Sequence, residues 1–388
     1  MCMIDASKAF DRVNLVVLFR KLLIRGMCPM LIKFLIKMYT RQSMRSTWNG
    51  CHSEFLCVKC VKQGGVLSPL LFNIYIEDLV YILRKYAIGC HVSGQYAGIY
   101  TYADDITLLA PSCVGLNIML KICENFATEH DILFNSTKTK CMSFTPYHVV
   151  PNLTKCIHFM GSKLSFINQC TLLGISLTSD IFHNDITSTV NSFYAKCNSV
   201  LCDFSLLSLD VQFSLLSTYC IDAYGCQLWS YSDKSNTRFY TAWRKVLRHM
   251  WGLPNTTHNK LIPAIFNTNP IEIMLESRCI KYIYNCINCD NETVRIITYS
   301  ALNNRKSVMG INFRYLSFKY KIDRHLWHND LSSLLKKVDR FMTFDSILLY
   351  ESYNIGYTIR ELCLTKSDDE HILDYNERKM MIEYLCTM

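Results

Sequence analysis

The sequence predicts an α+β fold: a small antiparallel sheet carrying a cluster of acids, followed by a helical half. Three observations predict it. The β-branched and aromatic run Gly98–Tyr102 and the apolar run Ile106–Leu109 flank Ala103-Asp104-Asp105 and read as a tight hairpin, hence antiparallel. Leu116, Met119, Leu120, Cys123 and Phe126 recur at helical spacing. From about residue 182 the strand patterns give way to helices. The central hairpin argues against a doubly wound parallel sheet.

Each element follows from local signals. Residues 1–5 read as a strand ending in Asp5. Residues 14–25 read as an amphipathic helix stopped by Gly26, and Pro29 opens a second helix to about Thr40. Ser46 to Val61 reads as a hairpin turning at Asn49-Gly50. Ser68-Pro69 marks a helix start, with Ser as N-cap and Pro at the first helical position, running to about Tyr86. After the acidic hairpin come a helix over 113–130 and strands around 131–144 and 156–177. Leu206–Trp229 is apolar with scattered polar positions. The helix over 238–251 interleaves basic and aromatic residues and ends at Gly252-Leu253-Pro254. Residues 265–388 read as helical and irregular and name no chemistry.

Composition sets bounds. A chain of 388 residues, half of them hydrophobic, is long enough for two or three domains with sizeable cores. The formal charge of +9, from 41 basic and 32 acidic residues, suits a polyanionic partner without requiring one. Twenty cysteines without a secretory signal pattern read as free intracellular thiols, with nucleus and cytoplasm not distinguished. The pairs Cys57/Cys60 and Cys286/Cys289 lack a matching second pair for zinc. No apolar run approaches ~18–20 residues, so neither a spanning helix nor a membrane partner is expected.

Adjacent acids at a hairpin tip repel each other, and are tolerated if solvated or if a divalent cation neutralises them. The apolar flanks favour the cation. Asp5, at the carboxyl end of a strand, supplies a third carboxylate. If the strands are neighbours, Asp5, Asp104 and Asp105 form the minimum cage for two Mg²⁺ ions, with Mn²⁺ as a substitute, in phosphoryl transfer. Sequence alone does not make them neighbours.

Between the acids lies Gln63-Gly64-Gly65-Val66-Leu67-Ser68-Pro69. The ordered set Ala9-Phe10-Asp11, Gln63-to-Pro69 and Tyr102-Ala103-Asp104-Asp105 resembles the palm of a reverse transcriptase, in wording similar to non-LTR, LINE-like retrotransposons. Phe134-Asn135-Ser136-Thr137-Lys138-Thr139 resembles the fourth palm motif, and Cys170-Thr171-Leu172-Leu173-Gly174 the primer-grip region. The resemblance is strong over about 1–178 and looser through Trp229–His258, which is similar to a thumb-side segment.

The resemblance implies an RNA-directed DNA polymerase working on an RNA template, a DNA primer and dNTPs. Asp5, Asp104 and Asp105 would be the metal ligands, and Lys138 would steady or protonate the leaving pyrophosphate. Gln63, Gly64 and Tyr102 would meet the nucleotide and template, and Phe10 would lie under the sugar and exclude a 2′-OH. Arg238, Arg244, Lys245 and Arg248 would contact phosphates. From the residues alone, Phe10 reads equally as a core ring, Lys138 as a solvated surface lysine, and the basic helix face as merely wet. Asp11 reads as a structural acid. The implied division is a partial palm at 1–178, a thumb-like region at 179–262 and a C-terminal region of unassigned role at 263–388. With Met1 so near Asp5, fingers and endonuclease regions are expected to be missing, as in an N-terminally truncated copy. A non-catalytic nucleic-acid-binding remnant is the rival reading, and a purely structural protein the third. Oligomeric state is not readable.

Overall fold

The computed structural model describes residues 1–57, 60–62, 64–144, 157–179, 186–221, 223–233, 236–266 and 268–338. They fall into two compact units: Met1–Thr171 with Ser176–Phe182, and Leu172–Ile175 with the chain from His183 onward.

The first unit is built on strand β1 (Cys2–Ala6), whose burial alternates as a half-covered strand requires. Helix α1 (Leu15–Ile24) starts at Asn14, whose Oδ1 accepts from the Val16 and Val17 amides, and it buries Leu18, Phe19 and Leu22. Gly26, at φ +77°, turns the chain into α2 (Pro29–Thr40). That helix buries only Ile32, Leu35 and Tyr39.

The hairpin that follows is longer at its start and shorter at its end than the sequence suggests. β2 (Ser43–Met44) pairs with β5 (Leu56–Cys57), and β3 (Thr47–Trp48) with β4 (Cys51–His52). Asn49 and Gly50 both take positive φ, as a type I′ turn demands. Val61 instead donates its amide to Phe10 O at 3.2 Å and is buried.

Helix α3 (Ser68–Tyr86) corrects the N-cap assignment. Ser68 is the first helical residue, Leu67 holds the cap position, and the buried Ser68 hydroxyl donates to Lys62 O. A side chain committed to the preceding loop cannot cap its own helix. The two-strand ribbon β6 (His91–Val92) and β7 (Gln95–Tyr96) leads to β8 (Ile99–Tyr102) and β9 (Asp105–Leu108), then α4 (Cys113–Glu129) and β10 (Phe134–Cys141).

The sheet order is β10-β1-β9-β8, antiparallel throughout. Of the strands expected over 131–177, only β10 joins it. β11 (Ile157–Phe159) pairs with β12 (Ser162–Leu164), and β13 (Gln169–Leu172) with β14 (Ile175–Thr178), as separate ribbons. The class is α+β. Ile4, Ile106 and Leu108 from the sheet share one core with Leu18, Leu71, Phe72, Leu79, Leu120 and Phe126 from the helices. Tyr75 ties three helices together: its hydroxyl donates to His130 O and accepts from the Asn14 amide.

The second unit is helical: α5 (Thr187–Asp203), α6 (Leu209–Leu215), α7 (Thr237–Met250), α8 (Leu261–Ile265), α9 (Ile271–Ile287), α10 (Glu292–Asn303), α11 (Val308–Lys319) and the short α12 (Leu326–Asn329). One buried cluster runs from Ile186 to Val338, so the core is continuous across residue 262. Asn312, fully buried, bridges distant chain: Nδ2 donates to Trp229 O at 2.7 Å and Oδ1 accepts from Tyr231 N at 2.9 Å. Buried Glu276 is held by Lys319 at 2.8 Å and by the Tyr320 hydroxyl. A Cβ on Gly310 would lie 2.6 Å from Asn304 O and 2.7 Å from Ala301 O, backbone atoms that cannot swing aside. Gly310→Ala is therefore expected to destabilise this unit by about 1–3 kcal/mol, read as a lowered denaturant midpoint.

Among the described residues no helix is long and apolar enough to cross a membrane.

Candidate active site

Ile4 and Ala6 point into the core, so Asp5 and Met3 share the opposite face of β1. β1 and β9 set Met3 against Thr107 and Ile4 against Ile106. The next step of that register places Asp5 across from Asp105. β8 and β9 close with Tyr102 opposite Asp105, leaving Ala103 and Asp104 as the turn, with Ala103 at φ +51°. Asp5 and the Asp104-Asp105 pair, far apart in sequence, thus lie at the same end of two neighbouring strands.

Their proximity shows in the chemistry of Asp105. Partial burial first, then the charges of Asp104 and Asp5, raise its pKa above the usual carboxylate value. The folded chain therefore holds that proton more readily than the unfolded chain does. Stability contributed here falls as pH rises from the ordinary Asp value through the raised one, and the penalty is complete above it. Asp105→Asn is expected to raise the melting temperature of the metal-free chain at pH 7, with the gain vanishing below about pH 4.

Lys138 reaches the same place from the other side. The β1–β10 register passes from Met3–Lys140 to Asp5–Asn135, so residues 136–139 bulge opposite Ile4 alone. Asn135 organises the bulge: Oδ1 accepts from Thr137 N at 3.0 Å, Thr137 Oγ1 at 2.7 Å and Lys138 N at 3.2 Å. Its carbonyl accepts from Thr139 Oγ1 at 2.7 Å. Lys138 Nζ then stands 4.0 Å from Asp5 Oδ2, a solvated pair of little stabilising value. Asn135 as organiser escaped the sequence reading, although Asn followed by Ser-Thr is an Asx-turn signal. Cys170 Sγ lies 3.4 Å from Met3 Sδ, which lays β13 on this face beside Asp5.

The other predicted residues are placed as follows. Phe10 is half-buried, its ring 5.0 Å from that of Phe72. Gly64 takes φ +79° with no atom where a Cβ would stand. A Cβ on Gly65 would stand 2.7 Å from Ser68 Oγ and 3.1 Å from Lys62 O, so the Ser68 hydroxyl would have to shift. Tyr102 is exposed beside the acids. Gln63 lies outside the described residues. Asp11 is exposed, near the buried Cys60 thiol, whose pKa is raised by burial and then by Asp11.

Helix α7 corrects part of the basic-face expectation. Arg238 and Lys245 are exposed, in line with Thr241 and His249. Arg244 instead pairs with Glu272, and burial followed by the Arg248 charge lowers its pKa. Arg248 is buried and donates to Thr257 O at 2.8 Å and Asn259 Oδ1 at 2.6 Å. Tyr240, Trp243 and Leu247 are core residues of the same helix, and their positions around it carry Arg244 and Arg248 inward.

Among the described residues no three His, Cys, Asp or Glu side chains converge into a metal-holding group. The acids concentrate negative charge without forming a finished cage. Hard oxygen donors of this kind fit Mg²⁺, which is held by one or two carboxylates plus waters and substrate phosphates.

Residues 1–164 match the family described as reverse transcriptase (RNA-dependent DNA polymerase). The chain is 29% identical over 136 residues to the Pol polyprotein of the type-2 retrotransposable element R2DM of Drosophila melanogaster, covering 35% of this chain. It is 25% identical over 296 residues to a probable RNA-directed DNA polymerase from transposon BS of the same fly, covering 72% of this chain. Residues 1–164 carry a reverse transcriptase domain, similar to those of retrotransposable elements. A third relative, the Pol polyprotein from the type-1 retrotransposable element R2 of Popillia japonica, is 30% identical over 96 residues, 24% of the chain. The alignments span 13%, 32% and 14% of these relatives' own lengths. The transposon BS alignment, longer than the family match, runs on into the helical unit of the chain.

Proposed function

We propose that the chain acts as an RNA-directed DNA polymerase, extending a DNA primer on an RNA template with dNTPs. The observation that carries this reading is the register that sets Asp5 on β1 beside the Asp104-Asp105 turn of β9 inside the family-matching region. In the reaction a primer 3′-OH attacks the α-phosphate of a dNTP, and pyrophosphate leaves. Asp5, Asp104 and Asp105 hold the divalent cations, two Mg²⁺ ions with Mn²⁺ as a substitute, and these supply charge neutralisation and activation of the attacking oxygen. Lys138, which the bulge presents 4.0 Å from Asp5, steadies or protonates the leaving pyrophosphate. Phe10, braced on Phe72, lies under the sugar and disfavours a 2′-OH. The open backbone at Gly64, with Gln63 beside it, and the exposed Tyr102 ring meet nucleotide and template.

In this reading residues 1–178 are the palm and 179–262 a thumb-like region, whose Arg238 and Lys245 touch phosphates. Residues 263–338 complete the core of that helical unit. Residues 339–388 of the C-terminal region lie outside the described residues. The protein is placed inside the cell, where template and primer are.

The second reading is a nucleic-acid-binding chain without catalysis, favoured by the lack of a preformed three-ligand group among the described residues. Primer extension by the purified chain on an RNA template, with dNTPs and Mg²⁺, separates the two. Metal-dependent incorporation is expected. RNA binding without incorporation would install the second reading instead.

A further inference from the structure

We propose that the outer face of α2 and the β3–β4 hairpin form a single-stranded RNA-binding surface, separate from the acidic turn. Residues 12–53 contain eight basic residues, Arg12, Arg20, Lys21, Arg25, Lys33, Lys37, Arg41 and Arg45, and no acid. Four of these are accounted for inside the unit. Lys21 pairs with Asp78 and Arg25 with Glu77, Arg12 Nε reaches Asp131 O, and Arg45 lies 5.0 Å from the Phe55 ring centre. Lys33, Lys37 and Arg41 are exposed and have no partner among the described residues.

Their arrangement is specific. Lys33 and Lys37 form a column at i and i+4 on α2 and Arg41 follows at its C-cap, with Lys33 and Lys37 about 6 Å apart along the helix axis. Like charges at this spacing repel and weaken a helix, and residues 12–53 supply no acid to offset them. A second column, Met30, Phe34 and Met38, lies beside the first, with Met30 75% and Phe34 63% exposed. The hairpin that continues from α2 adds Trp48, 85% exposed, and the Arg45–Phe55 stack. Only the Ile32, Leu35 and Tyr39 stripe of the helix faces the core.

Interleaved cations and exposed aromatic rings are what a flexible polyanion with flat bases requires: charge for the backbone, ring faces for stacking. A helix lying on a lipid surface would instead set its charges and its apolar residues on opposite faces. Here both columns share the outward face, which favours RNA over an anionic membrane. The surface does not depend on catalysis, so its test reads binding alone.

The test uses the full chain and a labelled 15-nucleotide oligouridine carrying 5-bromouridine, in buffer with EDTA. Fluorescence anisotropy compares the natural chain with a Lys33→Gln/Lys37→Gln/Arg41→Gln variant, a Lys33→Arg/Lys37→Arg variant and Trp48→Ala. The charge-neutral variant is expected to lose at least about tenfold in affinity and to reduce the salt slope by about 2, at ~0.7 per phosphate contact. The arginine variant should retain binding. Trp48→Ala should lose about fivefold or more. Photocrosslinks should fall within residues 29–57. Unchanged affinity in the neutral variant, or crosslinks confined to other segments, would overturn the proposal. So would loss of co-sedimentation with phosphatidylserine vesicles while RNA affinity stays unchanged, which would assign the surface to a membrane. All substituted side chains are solvent-facing, so each variant is expected to fold with the circular dichroism spectrum of the natural chain.

Discussion

Asp104→Asn is expected to abolish nucleotide incorporation while sparing nucleic-acid binding. Asn has nearly the shape of Asp and is at home in a two-residue turn, so the β8–β9 hairpin should keep its register. What changes is charge. The substitution removes one of the two carboxylates that raise the pKa of Asp105, so that group should titrate at lower pH in the variant. It also removes one of the three charges proposed to hold the divalent cations. Loss of a single group aimed at developing charge costs about 10²–10³ in rate, and a metal-holding acid should cost no less. The check is single-nucleotide incorporation beside an RNA-binding measurement on the same preparation. Incorporation that survives Asp104→Asn would remove the acidic turn from catalysis.

Asn312→Ala should be the most damaging single change in the helical unit. The side chain satisfies Trp229 O and the Tyr231 amide where water has no access, and it leaves two buried backbone groups unpaired when truncated. At about 1–3 kcal/mol for each such group, a loss of about 2–6 kcal/mol is expected. Tryptophan emission isolates the effect. Trp229, Trp243, Trp251 and Trp327 are buried in this unit, whereas Trp48 of the other unit is exposed. A urea melt followed by fluorescence should shift its midpoint strongly, while the 1–164 region keeps its far-ultraviolet signal.

The acidic hairpin was legible because its determinants are local: alternating residues on either side of a short turn, with the acids between them. The helices over 15–24, 29–40 and 113–129 were legible for the same reason, each having a cap, a proline or a clear apolar stripe. What local pattern does not encode is pairing. That β1 lies between β9 and β10, and so brings Asp5 to Asp105 and Lys138, is a long-range choice set by which faces the core buries. Ser68 shows a second limit: Ser before Pro signals a cap, yet a competing acceptor, Lys62 O, took the hydroxyl. Arg244 and Arg248 show a third. In an aromatic-rich helix, two of the basic positions fall on the buried side, and only packing reveals which.

The bulge at residues 136–139 also separates two kinds of constraint on one strand. Cys141 opposite Cys2 and Phe134 opposite Ala6 keep the strand aligned on either side of it. A residue inserted or deleted inside the bulge would lengthen or shorten the loop that Asn135 closes, without sliding the flanking pairs. Lys138 can therefore be moved toward or away from Asp5 by loop length alone. Sequence change in this short stretch can tune the distance between cation and carboxylate, while the sheet that holds the acids remains in place.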